Sequence, residues 1–462
     1  MATIKNWFKF DKSLFKYTTS MGTLSLFALM FPMLFESATL YLQNSINTAI
    51  LSGYSANAVS AVGSTSTIIS LISTLCSMLA NGSIVVISNK IGAEDLKTVK
   101  ELSFTAIAVN LLVAVVLTPT TLIFAPEIAS FLNLTGIVYT YAVEYFRLRM
   151  IFMIFTILTS ALLALLKCYG YPKYTFIAGL LINTLNLLFN IVVVYFPQYS
   201  PVTGVTGVAY SSCISNTIGF FAAIYFFVKV KIKVKSPDSI KSFFELTKNV
   251  LRVAVPSGLS SISFTFSKVF TASFIAILGS RALSTNVYFT NILCYVYLFS
   301  MCTGNANALL VGRCFGAGDY ERAERMNKQL IRLTCVVNLA ISLLVLIFRR
   351  PLMSIFTDDP WAMKVALSVF AVDILVEQAR AISQIYEYAL RATGDVLFSM
   401  IFIVSSCWLF SIGLSYFLAI KCGLGLVGCF IGLAVDEWTR TIVTYFRWKS
   451  GKWKPKHALA TN

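Results

Sequence analysis

Residues 372–395 read VDILVEQARAISQIYEYALRATGD and combine the length of a membrane-spanning helix with a regular series of polar side chains. The series follows steps of four, three, four, three and four residues and consists of Asp373, Glu377, Arg380, Gln384, Glu387 and Arg391. Such steps place all the side chains on one face of an α-helix. At about 1.5 Å per residue this stripe is roughly 27 Å long, close to the thickness of a bilayer's hydrocarbon core.

The stripe cannot face lipid, because each charged side chain at the centre of a bilayer costs at least about 2.5 to 3.5 kcal/mol. It must therefore face protein or a water-filled cavity. We interpret that cavity as a transport pathway, and the rest of the chain as the structure that opens the pathway alternately to the two sides of the membrane.

The overall composition is that of a polytopic membrane protein. Of the 462 residues, 57% are hydrophobic and only 12% are charged, which excludes a soluble chain with a single core. The net charge of +17 would suggest nucleic-acid binding in a soluble protein. Here the basic residues lie at the ends of apolar runs, so we expect the lipid bilayer as partner and no nucleic acid.

Residue types that most enzymes need are scarce. The only histidine is His457 in the carboxy-terminal tail, and the ten cysteines include no CxxC pair. Nucleophilic, acyl-transfer and metal chemistry within the membrane are therefore disfavoured. We predict that the protein is not an enzyme and has no catalytic residue, no cofactor and no metal site, and that its cysteines are reduced packing residues.

About twelve apolar runs are each long enough to cross a bilayer as a helix. They cover approximately residues 21–48, 57–84, 100–126, 136–166, 174–196, 206–230, 248–278, 283–311, 327–349, 361–391, 396–420 and 424–447. Basic residues gather in alternate connections, for example at 229–248 and 313–332, and the opposite connections contain few. This bias predicts a multi-pass protein of the plasma membrane with both termini in the cytoplasm.

The chain also contains an internal repeat of 224 residues. The matching pairs are Pro32 and Pro256, Asn81 and Asn305, Gly92 and Gly316, Asp95 and Asp319, and Gly170 and Gly394. Six spans per repeat is an even number, so both halves enter the membrane from the same side. We therefore predict an all-α polytopic membrane protein with two six-helix lobes, related by a pseudo-two-fold axis along the membrane normal, and a binding site between the lobes.

The domain boundaries follow from the spans and the loop charges. We predict a cytoplasmic interfacial segment at 1–20, an amino-terminal six-helix lobe at 21–230, and a polar, basic cytoplasmic linker at 231–247. A carboxy-terminal six-helix lobe at 248–447 and a basic cytoplasmic tail at 448–462 complete the chain, which we expect to be a monomer.

Six motifs are distributed along the chain. They are SINTAILSGYSANAVSAVG at 45–63, NKIGAED at 89–95, GVTGVA at 204–209, VGRCFGAGD at 311–319, ALRATGD at 389–395 and DEWTR at 436–440. Together they resemble the multidrug and toxic compound extrusion (MATE) transporters, in particular a bacterial-type branch, over nearly the whole length. The resemblance implies a V-shaped pair of lobes and a secondary active antiporter that exports cationic or amphipathic organic compounds by alternating access. Protons or sodium would be the coupling ion. The alternative is a flippase for a lipid-linked oligosaccharide or another polar lipid, as in related families.

Two positions at which the resemblance implies carboxylates hold amides in this sequence. In the first span Asn47 stands where the family has an aspartate, and in the fifth span Asn190 stands where a second acid is expected. An amide neither gains nor loses a proton near neutral pH, so the amino-terminal lobe lacks that proton switch. Asn47 and Asn190 remain candidates for weak Na⁺ coordination or for hydrogen bonding to a substrate.

The charged side chains of the carboxy-terminal lobe are therefore the main candidates for coupling. Matching depths in the membrane predict that Lys268 pairs with Asp373, and Arg380 lies one turn from Glu377. Glu377 is our coupling candidate, because burial favours its protonated form whereas a neighbouring cation favours its ionised form. Protonation from outside would weaken the ion pair and release a cationic substrate. The alternative is a permanently ionised network that only fixes helix packing.

Two further acids lie deep in predicted spans. Glu36 in the first span is expected to pair with Arg147 or Arg149 of the fourth span, because buried charges are normally matched. Asp436 lies one turn from Arg440, and we expect the two to pair with each other. A packing role is favoured for both acids, and ion coupling or substrate binding is the alternative.

Overall fold

The computed structural model of the chain describes residues 11–54, 56–131 and 135–455, without the side chains of 44, 45, 48, 49, 51–54, 56–60, 67 and 131. The described residues are mainly helical, which confirms the all-α class. Helices dominate because lipid offers no hydrogen-bonding partner to a backbone, so each spanning segment must satisfy its own peptide groups. Residues 1–10 of the 1–20 segment, part of the 45–63 motif and the end of the basic tail lie outside the described residues or side chains.

The longer helices follow one another with short connections. They are α1 (Leu26–Tyr54), α2 (Ala56–Gly92), α3 (Leu96–Ile123), α4 (Ala125–Phe131), α5 (Gly136–Ile151), α6 (Met153–Cys168), α7 (Pro172–Tyr195), α8 (Gly204–Lys229), α9 (Ile240–Ile277), α10 (Ser280–Gly316), α11 (Tyr320–Ile347), α12 (Arg349–Ser354), α13 (Pro360–Ala392), α14 (Val396–Ser406) and α15 (Gly425–Lys449). Between α14 and α15 the chain continues as π-helix at Cys407–Leu414 and Phe417–Lys421.

The helices agree with the predicted spans. Within the described residues, nine helical segments are long and apolar enough to cross a membrane, or ten if α5 and α6, which meet at a bend of 46°, form one span. The two remaining predicted spans coincide with α13 and α15, which have 33 and 25 residues. These two helices have the length of a span, but each carries several charged side chains that are buried within the protein.

Repeat-related residues perform the same backbone tasks in the two halves of the sequence. Asp95 and Asp319 each precede a helix and accept a hydrogen bond of 3.2 Å, from the backbone N–H of Thr98 and Arg322 respectively. These side chains satisfy amide groups that have no partner within the first turn. Gly170 and Gly394 follow α6 and α13 with φ of +89° and +86°, a conformation that favours glycine.

The chain divides into two compact units, each of which we describe by itself. The carboxy-terminal unit consists of Met1–Met30, Ser88–Glu94 and Pro256–Asn462, and the amino-terminal unit of Phe31–Ile87 and Asp95–Val255. In the amino-terminal unit, Phe146, Met150 and Ile157 belong to a buried apolar cluster. In the carboxy-terminal unit, α13 packs against α10, α11 and α15. The stripe of residues 372–395 therefore lies on a central helix of that unit.

Glycines allow a close approach between two helix ends within the carboxy-terminal unit. A methyl group at Gly92 would overlap the backbone carbonyl of Arg313, and one at Gly316 would overlap that of Asn89. The contacts are reciprocal, since Asn89 and Arg313 are also separated by the 224-residue repeat. Small residues permit this kind of backbone contact between membrane helices.

A β-hairpin precedes α1 and was not predicted. Strand β1 (Lys16–Thr19) pairs antiparallel with β2 (Gly22–Ser25). The Arg322 guanidinium donates hydrogen bonds to the carbonyls of Ser13 (2.9 Å) and Lys16 and lies 5.0 Å from the centre of the Tyr17 ring. Phe15, just before the hairpin, is only 1% exposed. The first apolar run therefore begins as an extended segment held by tertiary contacts, and α1 starts about five residues later than predicted.

Candidate functional site

Six charged side chains from α13 and α15 lie together in the interior of the carboxy-terminal unit. This buried charge cluster consists of Asp373, Glu377, Arg380, Asp436, Glu437 and Arg440, which are between 0% and 8% exposed. The steps of three and four residues along each helix place the charges on the faces that pack against each other. Sequence analysis identified four of the six as site residues and Arg440 as the partner of Asp436, but it overlooked Glu437.

Arg380 joins the two helices. Its guanidinium forms ion pairs with Glu377 on its own helix and, at 3.1 Å, with Glu437 on α15. Glu437 also accepts a hydrogen bond of 3.2 Å from the Ser383 hydroxyl. The predicted contact between Glu377 and Arg380 is therefore present. Glu437 could have been found in the sequence, because it is an acid within a predicted span, directly after Asp436 and three residues before Arg440.

The second ion pair of the cluster lies within α15. Arg440 contacts both carboxylate oxygens of Asp436, with distances of 2.6 and 3.1 Å, as the spacing of one turn predicts. The Ser406 hydroxyl donates a further hydrogen bond to Asp436. With an arginine on one side and a hydroxyl on the other, this carboxylate is well satisfied, which is typical of a packing role.

Asp373 differs from the other acids of the cluster. Its side chain is 3% exposed, yet within the described part of the chain its carboxylate forms no ion pair and accepts no hydrogen bond. The predicted pair with Lys268 is wrong, because Lys268 is exposed and its ammonium lies over the Phe264 ring, 4.8 Å from the ring centre. A similar depth along two helices does not fix the direction in which each side chain points.

The prediction that the stripe lines an open cavity is also wrong. Glu377 is fully buried, and Glu387, which pairs with Arg391, is 6% exposed. The stripe instead faces protein, the other solution to the cost of charges in a bilayer. The cluster contains four carboxylates but two guanidinium groups. Buried carboxylates in excess over arginines favour the binding of a proton or another cation, because an uncompensated buried charge is costly.

A cluster of amides lies between α1 and α7 of the amino-terminal unit. The Asn190 amide donates a 2.9 Å hydrogen bond to the Asn47 carbonyl oxygen, and the Asn47 amide donates one of 3.0 Å to Asn186. Gln43 also donates to Asn186, and the Asn186 amide donates to Ser212 at 3.0 Å. Sequence analysis identified Asn47 and Asn190, which are in contact, but not the other three residues.

The amide cluster has unused acceptors. The side-chain oxygens of Asn190 and Gln43 are buried and accept no hydrogen bond from any described residue. Such oxygens can bind a hard cation or a donor group of a ligand. Among the described residues, no group of three or more histidine, cysteine, aspartate and glutamate side chains is arranged as a metal site.

Glu36 has a different partner from those predicted. Its carboxylate lies 3.3 Å from the ammonium of Lys167, at the end of α6, whereas the predicted partners Arg147 and Arg149 belong to α5. The length of a predicted span does not fix which part of a neighbouring helix meets Glu36, so depth alone could not identify its partner. Both side chains remain about one-fifth exposed, at 23% and 20%.

Comparisons with known proteins agree with this architecture. The MatE family model matches residues 32–196 and 256–417, two segments whose starting points are one repeat apart. An uncharacterised transporter, YisQ of Bacillus subtilis, is 31% identical over 94% of this chain and 96% of its own length. The probable multidrug resistance protein NorM of Thermotoga maritima is 25% identical, and the match covers 94% of each chain.

Solved structures show the same fold at lower sequence identity. A multidrug resistance MATE family transporter of the MOP superfamily, in an outward-facing conformation, gives a TM-score of 0.85 at 20% identity, covering 92% of this chain and 94% of the other. A MOP superfamily transporter from Pyrococcus furiosus, described as having a binding pocket of reverse polarity, gives 0.83 at 20% identity with the same coverage.

Proposed function

Because the chain belongs to the MatE family of membrane transporters, we propose that it is a secondary active antiporter that exports amphipathic organic compounds by alternating access. Relatives named as multidrug resistance proteins support the substrate range. The observation that carries the coupling mechanism is the buried charge cluster, in which the Asp373 carboxylate has no partner among the described residues. Protons or sodium ions would be the driving ions.

Asp373 is the position at which a coupling ion would bind. Arg380 forms its ion pairs with Glu377 and Glu437 and interacts with Asp373 only at longer range, so a proton or a sodium ion gains most at the Asp373 carboxylate. Uptake of one positive charge also reduces the repulsion between Asp373 and Glu377, one turn apart on α13. In this mechanism Glu377 senses the ion through Arg380, and Asp373 binds it.

Ion and substrate would be coupled through the helices that carry the cluster. Binding of the ion to Asp373 changes the charge between α13 and α15. In an alternating-access cycle these helices would adopt two packing arrangements, which would differ in their affinity for the ion. If the substrate prefers the opposite arrangement, the movement of one drives the movement of the other. The amides Asn47 and Asn190 do not titrate, so this scheme assigns proton coupling to the carboxy-terminal unit and leaves hydrogen bonding or weak Na⁺ binding to the amide cluster.

The burial of the cluster removes the argument that acids in the cavity select cationic substrates. Lys268, in contrast, is exposed and lies about 14 Å along α9 from its end at Ile277, which is near the middle of a bilayer. This cation supports a second candidate function, a flippase for a phosphate-bearing lipid. Export of a neutral or cationic amphiphile that does not depend on Lys268 would favour the antiporter over the flippase.

The experiment that tests the coupling mechanism is export in proteoliposomes with an imposed proton or sodium gradient. We predict that Asp373→Asn lowers gradient-driven export at least about tenfold while substrate affinity in the absence of a gradient changes little, because an amide cannot take up the ion. Glu387→Gln is the matched control, an equally buried acid on the same helix that is paired with Arg391. Undiminished export by Asp373→Asn would refute the mechanism.

We also propose that the protein lies in the plasma membrane as a monomer, with both termini in the cytoplasm. The alternation of basic and non-basic loops supports this orientation. The observed helices are compatible with that alternation if α5 and α6 together form one span.

A further inference from the structure

The amino-terminal unit contains a groove that is lined by neither the buried charge cluster nor the amide cluster. It lies between α5 and α8 and has a volume of about 510 Å³. Polar and charged side chains make up one part of its wall, namely Tyr139, Thr140, Glu144, Arg147, Thr206 and Tyr210. The remaining part is apolar and is formed by Val143, Leu148 and Ile151. A surface with these two parts suits an amphiphile.

The two charges in the groove do not neutralise each other. Glu144 and Arg147 are three residues apart on α5, and both are exposed. Glu144 accepts a 2.8 Å hydrogen bond from the Thr206 hydroxyl. Within the described part of the chain, Arg147 forms neither an ion pair nor a hydrogen bond. The groove therefore offers one free cation and one partly free carboxylate, with their Cβ atoms about 5 to 6 Å apart as expected for this spacing.

The depth of these side chains makes a partner important. Arg147 is eleven residues from the start of α5 at Gly136, or about 16 Å along the helix axis. A guanidinium at this depth reaches toward the head-group region or binds a counter-ion, because hydrocarbon does not solvate it. Tyr139 and Tyr210 in the same wall belong to a residue type that is enriched where membrane meets water.

We propose that this groove binds a zwitterionic amphiphile. Arg147 binds its phosphate or carboxylate, an interaction for which the planar guanidinium is suited. The Glu144 carboxylate binds its ammonium group, and the apolar part extends along Leu148 and Ile151 toward the bend between α5 and α6. Neither the buried charge cluster nor the amide cluster lines this site, so lipid binding here does not depend on the proposed ion coupling, and only the exported-compound source rests on the proposed function.

Two sources can supply this chemistry, an ethanolamine phospholipid of the membrane or a zwitterionic compound that is being exported. A phospholipid would remain bound through purification and would not be transported. An exported compound would bind reversibly and would lose export when the groove is altered. The charge separation in the ligand is the same in both cases, so one set of variants serves both.

The test uses the full-length protein in nanodiscs, with phosphatidylethanolamine as the first probe and phosphatidylglycerol, which has no ammonium group, as the comparison. Bound lipid is measured by native mass spectrometry. We expect the wild type to retain bound phosphatidylethanolamine. Arg147→Gln should lower the affinity for this lipid about tenfold, and Arg147→Lys should retain part of the affinity. Glu144→Gln should weaken the binding of phosphatidylethanolamine but leave the binding of phosphatidylglycerol unchanged. Lys421→Gln, which removes an exposed charge at the end of the π-helix Phe417–Lys421 in the other unit, is the control.

A second arm distinguishes the two sources. If the lipid is not selected, export of a fluorescent zwitterionic alkyl amine-carboxylate is measured in proteoliposomes, where Arg147→Gln should reduce its export but not that of a singly charged cationic analogue. Thermal melting of each variant confirms that it is folded. Equal binding of both lipids by all variants, together with unchanged export of the zwitterion, would overturn the proposal.

Discussion

At the scale of single residues, Glu437 is the acid that connects α13 to α15. Its carboxylate accepts hydrogen bonds from Arg380 and Ser383, and its side chain is only 2% exposed. We predict that Glu437→Ala lowers the free energy of unfolding by about 3 to 5 kcal/mol, because it leaves a guanidinium buried with one partner fewer. Thermal unfolding in detergent measures this change.

The control for that prediction is Glu324→Gln. Glu324 pairs with Lys454 at 2.8 Å but is 44% exposed, and exposed ion pairs contribute about 1 kcal/mol or less. Equal losses in the two variants would mean that the cluster contributes no more than a surface pair does.

The residue contacts that could be predicted are those within one helix. The pairs Glu377–Arg380 and Asp436–Arg440 follow from spacing alone, because three or four residues bring two side chains to the same face. Contacts between helices depend on rotation and on where each helix begins, neither of which is fixed by an apolar run. Hence the partners expected for Lys268 and Glu36 were wrong, and Glu437 was overlooked.

At the scale of helices, the close approach of α2 and α10 depends on the absence of a side chain at two positions. We predict that Gly316→Ala strongly destabilises the carboxy-terminal unit, because the added methyl group would overlap the backbone of Asn89, which cannot move as a flexible side chain could. The melting temperature and the yield of monodisperse protein measure the effect.

Gly63→Ala is the matched control, since an added methyl group there would meet no atom within 4 Å. In a helix this change is neutral or stabilises by up to about 1 kcal/mol. If Gly316→Ala melts at the same temperature as Gly63→Ala, then the helices separate easily and the reciprocal contact is not important for stability.

The linker is a second feature at this scale, because it is attached to α3 by charge. Asp238 pairs with Lys235 at 2.7 Å and with Lys97 at 2.6 Å, and these two lysines lower the pKa of the Asp238 carboxyl to about 2. The attachment is therefore complete above pH 3.8 and is lost only as the pH falls through about 2.

We predict that trypsin cleaves the linker at the same rate between about pH 7 and pH 9, but faster in Asp238→Asn or at high salt, which screens exposed charges. Lys231 and Lys233 are the expected cleavage sites, as both lie in the non-helical segment before α9. Cleavage that is insensitive to both salt and the substitution would show that the backbone contact from Lys235 to Lys100 holds the linker without the ion pairs.

The helices themselves were largely predictable, since a run of apolar residues long enough to span a bilayer has few alternatives to a helix. The hairpin at 16–25 was missed because it is short and is held by Arg322, which is distant in sequence. The π-helical segment at Cys407–Leu414 was missed because its composition does not differ from that of an α-helix. Its Ser411 hydroxyl meets Ser267 of α9 at 3.0 Å, so a tertiary contact accompanies the irregular geometry.

At the scale of the whole molecule, the two halves of the sequence share a backbone plan but differ in their polar interiors. Repeat-related aspartates and glycines begin and end helices in both halves. The interior of the amino-terminal unit, however, contains the amide cluster around Asn186, whereas that of the carboxy-terminal unit contains the buried charge cluster with its four carboxylates and two arginines. The two halves therefore share a scaffold, while the buried charge cluster belongs to one unit.

The orientation of the whole molecule can be tested with a natural probe. Of the ten cysteines, all within the described residues, only Cys422 is exposed, and it lies in the connection before the last helix, on the side opposite the carboxy terminus. We predict that a membrane-impermeant maleimide labels intact cells at Cys422, because buried thiols react slowly and the loop-charge bias places this connection outside. Cys422→Ser should abolish the labelling. If labelling of Cys422 instead requires permeabilised cells, the connection faces the cytoplasm and both the orientation and the assigned direction of export must be reversed.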